Sequence, residues 1–83
     1  MVRYLLYGRD TCPFCNHAED YFISAGLEYH YLNMSADPAE ITRCKEFFGR
    51  ETVPIILENC LATGKTKMIG GYSDLMKYVS QDE

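Results

Sequence analysis

The apolar run "VRYLLYG", Val2 to Gly8, ends on a glycine, and after only Arg9-Asp10-Thr11 the chain reads "CPFC", Cys12 to Cys15. A short aromatic and aliphatic run closed by Gly reads as a buried strand. From Pro13 the apolar positions Phe14, Ala18, Phe22 and Ile23 fall at helical spacing, with Pro13 suited to the first helical position and Gly26 to the residue past the end. A strand that passes through so short a turn into a helix needs a sheet to pair with and helices to cover it.

The rest of the chain supplies them. "LEYHYLN", Leu27 to Asn33, alternates with a period of two and is expected to be a second strand. "SADPAEITRCKEFFG" offers Ser35 or Asp37 as a cap, Pro38 inside the start, Ile41, Cys44, Phe47 and Phe48 on one face, and Gly49 past the end, which predicts a second helix. "TVPIILEN" is a strand run beginning at a proline, and "TGK" at 63–65 turns it into the strand "TKMIG" as a hairpin. "YSDLMKYVSQDE" then offers Ser73 or Asp74 as the cap of a terminal helix whose apolar face is Leu75, Met76 and Val79. The order βαβ-αββα predicts an α/β fold, a four-stranded mixed sheet with three helices on its two faces.

Composition narrows the function. With 83 residues, 47% hydrophobic and 24% charged, a single domain over 1–83 with a modest core is expected rather than disorder. The formal charge is −4 and the eight Lys and Arg form no basic stripe, which argues against nucleic acid as a partner. No segment approaches the roughly 20 apolar residues of a membrane helix, and "MVRYLLYG" is too short and too polar for a signal peptide. The expectation is a protein of the cytoplasm with no membrane partner, where a close cysteine pair serves catalysis or metal binding rather than a disulfide scaffold.

Cys12 falls where the strand has ended and a helix opens, beside unpaired amides and the positive end of the helix dipole. Such surroundings bring a thiol from about 8.5 to somewhere within about 3.5–7.5, so Cys12 is expected to be largely thiolate at neutral pH, with Arg9 adding positive charge. Cys15, one turn further in, is more shielded and suited to resolve the mixed disulfide that Cys12 forms. Two alternatives compete with this redox reading. Two small buried residues would not need Pro13 between them. A closed zinc site would need further ligands from Cys44, Cys60, His17 and His30, which form no second knuckle, so no metal is expected.

"CPFC" at 12–15, "TVP" at 52–54 and "GGYSDL" at 70–75, in this order and spacing, make the chain resemble a dithiol glutaredoxin of the thioredoxin-like fold, a family that usually reads CPYC. The likeness spans nearly the whole chain. It implies a glutathione-dependent thiol–disulfide oxidoreductase with Cys12 as nucleophile and Cys15 as resolving thiol, glutathione as co-substrate and no bound cofactor. Its partners would be glutathionylated proteins and disulfide proteins such as ribonucleotide reductase, and it would act as a monomer. The glutathione site implied is Arg9, Phe14, Arg50, Thr52, Val53, Pro54, Gly71, Tyr72, Ser73 and Asp74. Phe14 would wall the groove, Val53 with a cis Pro54 would offer its backbone to the cysteinyl unit, and Ser73 and Asp74 would hold the γ-glutamyl end.

Two departures from the family pattern stand out. The glycyl-carboxylate ligand of the second helix falls on Ile41, which cannot serve, leaving Arg43 or, better placed before Thr52, Arg50. The span from Pro54 to Gly70 is longer than in the shortest relatives, which predicts an enlarged hairpin loop around Asn59 to Lys65. Of the remaining cysteines, Cys44 is expected in the core and Cys60 in the hairpin, with glutathionylation or cross-linking of Cys60 as the less favoured alternative to an inert thiol. His17 and His30 are read as ordinary surface or strand residues. Two rival functions use the same residues. One is a [2Fe–2S] cluster bridging a dimer through Cys12 and glutathione, which Pro13 disfavours. The other is a dithiol donor fed by thioredoxin reductase.

Overall fold

Side chains alternate in their burial along β1 (Val2–Gly8), with Tyr4, Leu6 and Gly8 buried and their neighbours half-buried. Successive side chains point to opposite faces of the sheet, and the face of Tyr4 and Leu6 is the more deeply covered. The structure, a computed structural model, describes residues 1–80. Its elements continue as α1 (Pro13–Ala25), β2 (Tyr29–Asn33), α2 (Pro38–Phe48), β3 (Ile55–Cys60), β4 (Thr66–Gly70) and α3 (Tyr72–Ser80). The sheet order is β2-β1-β3-β4; β1 pairs parallel with β2 and antiparallel with β3, and β3 antiparallel with β4. The four-stranded mixed sheet and three helices expected from the sequence are therefore present.

The two faces of the sheet carry separate apolar clusters. On one, Tyr4, Leu6 and Ile56 meet Ala18 and Phe22 of α1 and Leu75 of α3. Phe22 is fully buried, its ring stacked 4.9 Å from Tyr4 and 5.5 Å from Tyr29. On the other, Ile55 meets Met34, Ile41 and Cys44, with Tyr7, Phe48 and Val53 against them, so α2 covers this face. Adjacent residues Ile55 and Ile56 serve opposite faces because successive side chains of a strand alternate.

Three expectations are corrected. β2 begins at Tyr29 rather than Leu27. Gly26, at φ +69°, ends α1, and the Leu27 N–H is spent on the Phe22 carbonyl at 3.0 Å, so it closes the helix instead of joining the ladder. The hairpin loop is 61–65, narrower than the 59–65 expected. β3 runs on to Cys60, Gly64 N–H donates to the Cys60 carbonyl at 2.8 Å, and Asn59 donates to the carbonyls of Gly64 and Lys65, which draws the turn tight. Finally, α3 starts at Tyr72, so Ser73 and Asp74 sit inside its first turn and not at the cap. The part of the terminal helix assigned from sequence to residues 81–83 lies outside the described residues. Asp37 is the cap of α2, its carboxylate accepting from Ala39 N–H at 3.1 Å.

Candidate active site

Cys12 occupies the N-cap of α1 with extended backbone, and Pro13 is the first helical residue. Its sulfur accepts the N–H of Cys15 at 3.1 Å, the place a serine or aspartate oxygen takes in an ordinary cap. A sulfur held there faces the amides that the first helical turn leaves unpaired, and those amides stabilise a thiolate over a thiol. Cys12 and Cys15 are joined as a disulfide with their Cα atoms 5.2 Å apart. Cys12 keeps 6% of its surface exposed and Cys15 none, so of the two residues only Cys12 reaches solvent.

The turn that delivers Cys12 is braced from β2 and the loop after it. Tyr31 donates its hydroxyl to the Arg9 carbonyl at 3.1 Å, Asp10 N–H donates to Ser35 Oγ at 2.7 Å, and Asn33 donates to the Asp10 carboxylate. Beneath it, Gly8 leaves room that Cys15 fills: a Cβ on Gly8 would stand 2.6 Å from Cys15 Sγ.

Beside the disulfide runs a groove of about 200 Å³ lined by Phe14, Arg50, Thr52, Val53, Pro54, Gly71, Tyr72, Ser73 and Asp74. The Val53–Pro54 peptide is cis. The Val53 carbonyl oxygen lies 3.8 Å from Cys12 Sγ, and among the described residues no backbone group pairs with Val53 N–H or C=O. An extended peptide laid along the groove therefore finds one donor and one acceptor next to the sulfur. Phe14, 57% exposed, stacks on Tyr72 with centroids 5.9 Å apart and forms an apolar wall.

The far end of the groove carries charge. The Asp74 carboxylate accepts Gly71 N–H at 2.9 Å and pairs with Arg50 at 3.2 Å. The Gly71 N–H, opposed by burial and assisted by the Arg50 cation, holds the Asp74 carboxyl below the ordinary carboxylate range. Gly70, at φ +123°, is a position that only glycine adopts freely, and a Cβ there would stand 2.5 Å from Asp74 Oδ2. Ser73 lines the same groove end, so a cation, a carboxylate and a hydroxyl-bearing residue are gathered there.

All but one of the residues that the sequence pointed to come together here. Arg9 is the exception, since it lines a separate depression with Asp10, Thr11, Ser35, Pro38 and Ile41. Of the two arginines considered for a carboxylate, Arg50 lines the groove, whereas Arg43 pairs with Asp37 at the start of α2. Ile41 is buried in the α2 cluster, as its apolar side chain demands. Cys44 is buried, and burial pushes its thiol up. Cys60 is half-buried, and hydrogen bonding from the Thr63 side chain lowers its thiol. Sequence reasoning missed three things: Gly8 as the seat of Cys15, the Arg50–Asp74 pair, and His17, whose ring joins Phe14 at 6.0 Å and Tyr72 at 5.8 Å. His17 stands three positions after Phe14, which on a helix places them side by side.

The chain is similar in sequence and fold to known proteins. The glutaredoxin family model matches residues 4–59. Glutaredoxin 3 of Escherichia coli K12 is 29% identical over 75 residues, covering 90% of this chain and 83% of its own. Among solved structures, glutaredoxin from Brucella melitensis is 28% identical with a TM-score of 0.73, covering 98% of this chain and 82% of that one. A buckwheat glutaredoxin solved as a complex with glutathione is 21% identical with a TM-score of 0.74, covering 95% of this chain and 69% of that one.

Proposed function

The chain belongs to the glutaredoxin family and is a thiol–disulfide oxidoreductase, and from that premise we propose that it takes its electrons from glutathione and reduces protein–glutathione mixed disulfides and protein disulfides. One observation carries the reading. The groove beside Cys12 Sγ offers an unpaired backbone donor and acceptor at Val53, an apolar wall at Phe14 and Tyr72, charged partners at Arg50 and Asp74, and the polar Ser73. Glutathione has the matching parts: a cysteinyl peptide unit, an ammonium and two carboxylates. The buckwheat glutaredoxin of the same fold, solved with glutathione, is consistent with this.

The chemistry follows from the two sulfurs. The Cys12 thiolate attacks the glutathione sulfur of a mixed disulfide; the S–S bond to the substrate protein breaks, and that protein's thiolate leaves and takes up a proton. A second glutathione thiolate attacks the glutathione sulfur on Cys12, giving oxidised glutathione and restoring the Cys12 thiolate. With a protein disulfide, Cys12 makes the mixed disulfide and the Cys15 thiolate then attacks Cys12 Sγ. The substrate is released as a dithiol and the Cys12–Cys15 disulfide is formed. Two glutathiones reduce it again. Glutathione is thus co-substrate, and the protein works as a monomer with no resident cofactor on disulfide proteins of the ribonucleotide reductase type in the cytoplasm.

Cys12→Ser is expected to abolish both reactions, while Cys15→Ser keeps deglutathionylation and loses protein-disulfide reduction. A glutathione reductase-coupled assay with a glutathionylated peptide and a disulfide protein reads both, and turnover by Cys12→Ser would sink the mechanism.

A further inference from the structure

Position 8 carries no side chain, and two atoms from distant parts of the chain close over the gap. Cys15 Sγ of α1 and Tyr31 Oη of β2 lie 2.6 Å and 3.0 Å from the place where a Cβ would stand on Gly8, so their separation is at most those two distances together. Tyr31 pairs with Leu6 in the parallel ladder, two residues before Gly8 on β1, which brings its ring over this spot. Its hydroxyl donates to the Arg9 carbonyl at 3.1 Å, in a bond open to solvent. A hydroxyl rotates about its C–O bond, so the same proton can be aimed at another acceptor.

Cys15 faces a difficulty that Cys12 does not. It has no exposed surface, and burial disfavours a thiolate, yet only the thiolate attacks. Cys12 sits at the helix start among unpaired amides, whereas Cys15 lies one turn in and has already given its own N–H to Cys12 Sγ. The Tyr31 hydroxyl is a donor beside the buried sulfur. The charged groups facing Tyr31 are Glu19 of α1 and Asp10 of the turn. Burial, followed by these two carboxylates, pushes its ionisation up, so Oη keeps the proton it donates.

We propose that Tyr31 is a third catalytic residue, specific to the resolving step: with Cys12 held in a mixed disulfide, its hydroxyl turns from the Arg9 carbonyl to Cys15 Sγ and donates to the thiolate there. The inference rests on Cys15 as the resolving thiol and adds how a buried sulfur becomes a nucleophile. Cys15 gives its proton to solvent, and its thiolate attacks Cys12 Sγ. The bond from Cys12 to the substrate sulfur breaks, and the substrate thiolate leaves with the electron pair and takes up a proton. Once the Cys12–Cys15 bond has formed, Cys15 Sγ carries no charge to hold the hydroxyl. It returns to the Arg9 carbonyl, where the disulfide form of the protein has it.

The test mixes the reduced whole chain with excess oxidised glutathione and quenches with acid at intervals. Peptide-resolved mass spectrometry follows the reduced, Cys12-glutathionylated and Cys12–Cys15 disulfide forms. It gives one rate constant for attack by Cys12 and a second for closure by Cys15, each as a function of pH. Tyr31→Phe is expected to raise the pH midpoint of the second by about one pH unit or more, the worth of a hydrogen bond to a charged group. Closure is then slowed severalfold at pH 7 relative to attack by Cys12, and the two chains converge at high pH, where Cys15 is ionised in both. Ser35→Ala removes another brace of the same turn, the bond from Asp10 N–H, and should leave the midpoint in place. An unmoved midpoint in Tyr31→Phe, or closure slowed equally at every pH, overturns the proposal and leaves Cys15 as the resolving thiol. An equal shift in Ser35→Ala does the same, since the turn and not the hydroxyl would then be responsible. If the unaltered chain stops at the glutathionylated form, the resolving role of Cys15 fails and takes the proposal with it.

Discussion

Cys15 has no exposed surface, and the space that its sulfur fills is the space a side chain at position 8 would need. A Cβ on Gly8 would also meet the Tyr31 hydroxyl at 3.0 Å. Gly8→Ala is expected to destabilise the fold by about 1–3 kcal/mol, read from the urea midpoint, because a packed sulfur and a ring must both give way. Cys15→Ala in the same chain should recover part of that loss, so that the two changes are non-additive. Full additivity would mean that the two residues do not touch. The sequence shows Gly8 only as the end of an apolar run. That it also seats the resolving sulfur depends on α1 folding back over β1, which brings residues seven apart into contact. The roles of Cys12 and Cys15 were legible, by contrast, because they follow from position within one helix.

At the level of elements, the caps divide into those written locally and those that are not. Asp37-Pro38 and Gly49 bracket α2, and Pro13 and Gly26 bracket α1, as the residue types dictate. The start of α3 does not follow its sequence signal, since Gly71 precedes the helix and the carboxylate that holds its N–H comes from Asp74, three residues later. That contact has a pH signature. The Asp74 carboxyl titrates lower in the folded chain than the ~3.9 of an unfolded aspartate, so its contribution to stability is fully present above that value and lost as pH falls through the folded one. Asp74→Asn should therefore unfold at lower denaturant than the unaltered chain near pH 7, with the gap narrowing as pH falls below the ordinary aspartate range. A gap independent of pH would contradict the assignment.

For the whole molecule the ring stack at Phe22 is decisive. Phe22 is fully buried and touches Tyr4 of β1, Tyr29 of β2 and its own helix neighbour Tyr21 at 6.0 Å, so it joins α1 to two strands of the sheet. Phe22→Ala is expected to cost about 3–5 kcal/mol, out of a total that for a native domain is only about 5–15 kcal/mol. For a chain of this size that should lower the melting midpoint by roughly 12 °C or more in a circular dichroism melt. A smaller fall would mean that the core closes over the gap.

What the sequence determined by itself was everything governed by short-range rules. Strand and helix periods, proline and glycine at the ends of α1 and α2, and the spacing of Cys12 and Cys15 are decided by backbone sterics and by neighbours a turn away, and these came out as read, whereas the starts of β2 and α3 did not. Only the tertiary structure decided which distant groups meet: Arg9 placed outside the groove, and Arg50 brought to Asp74 across it. These turn on the packing of helices against both faces of one sheet, and no local pattern records how far apart two loops will lie once that sheet has formed.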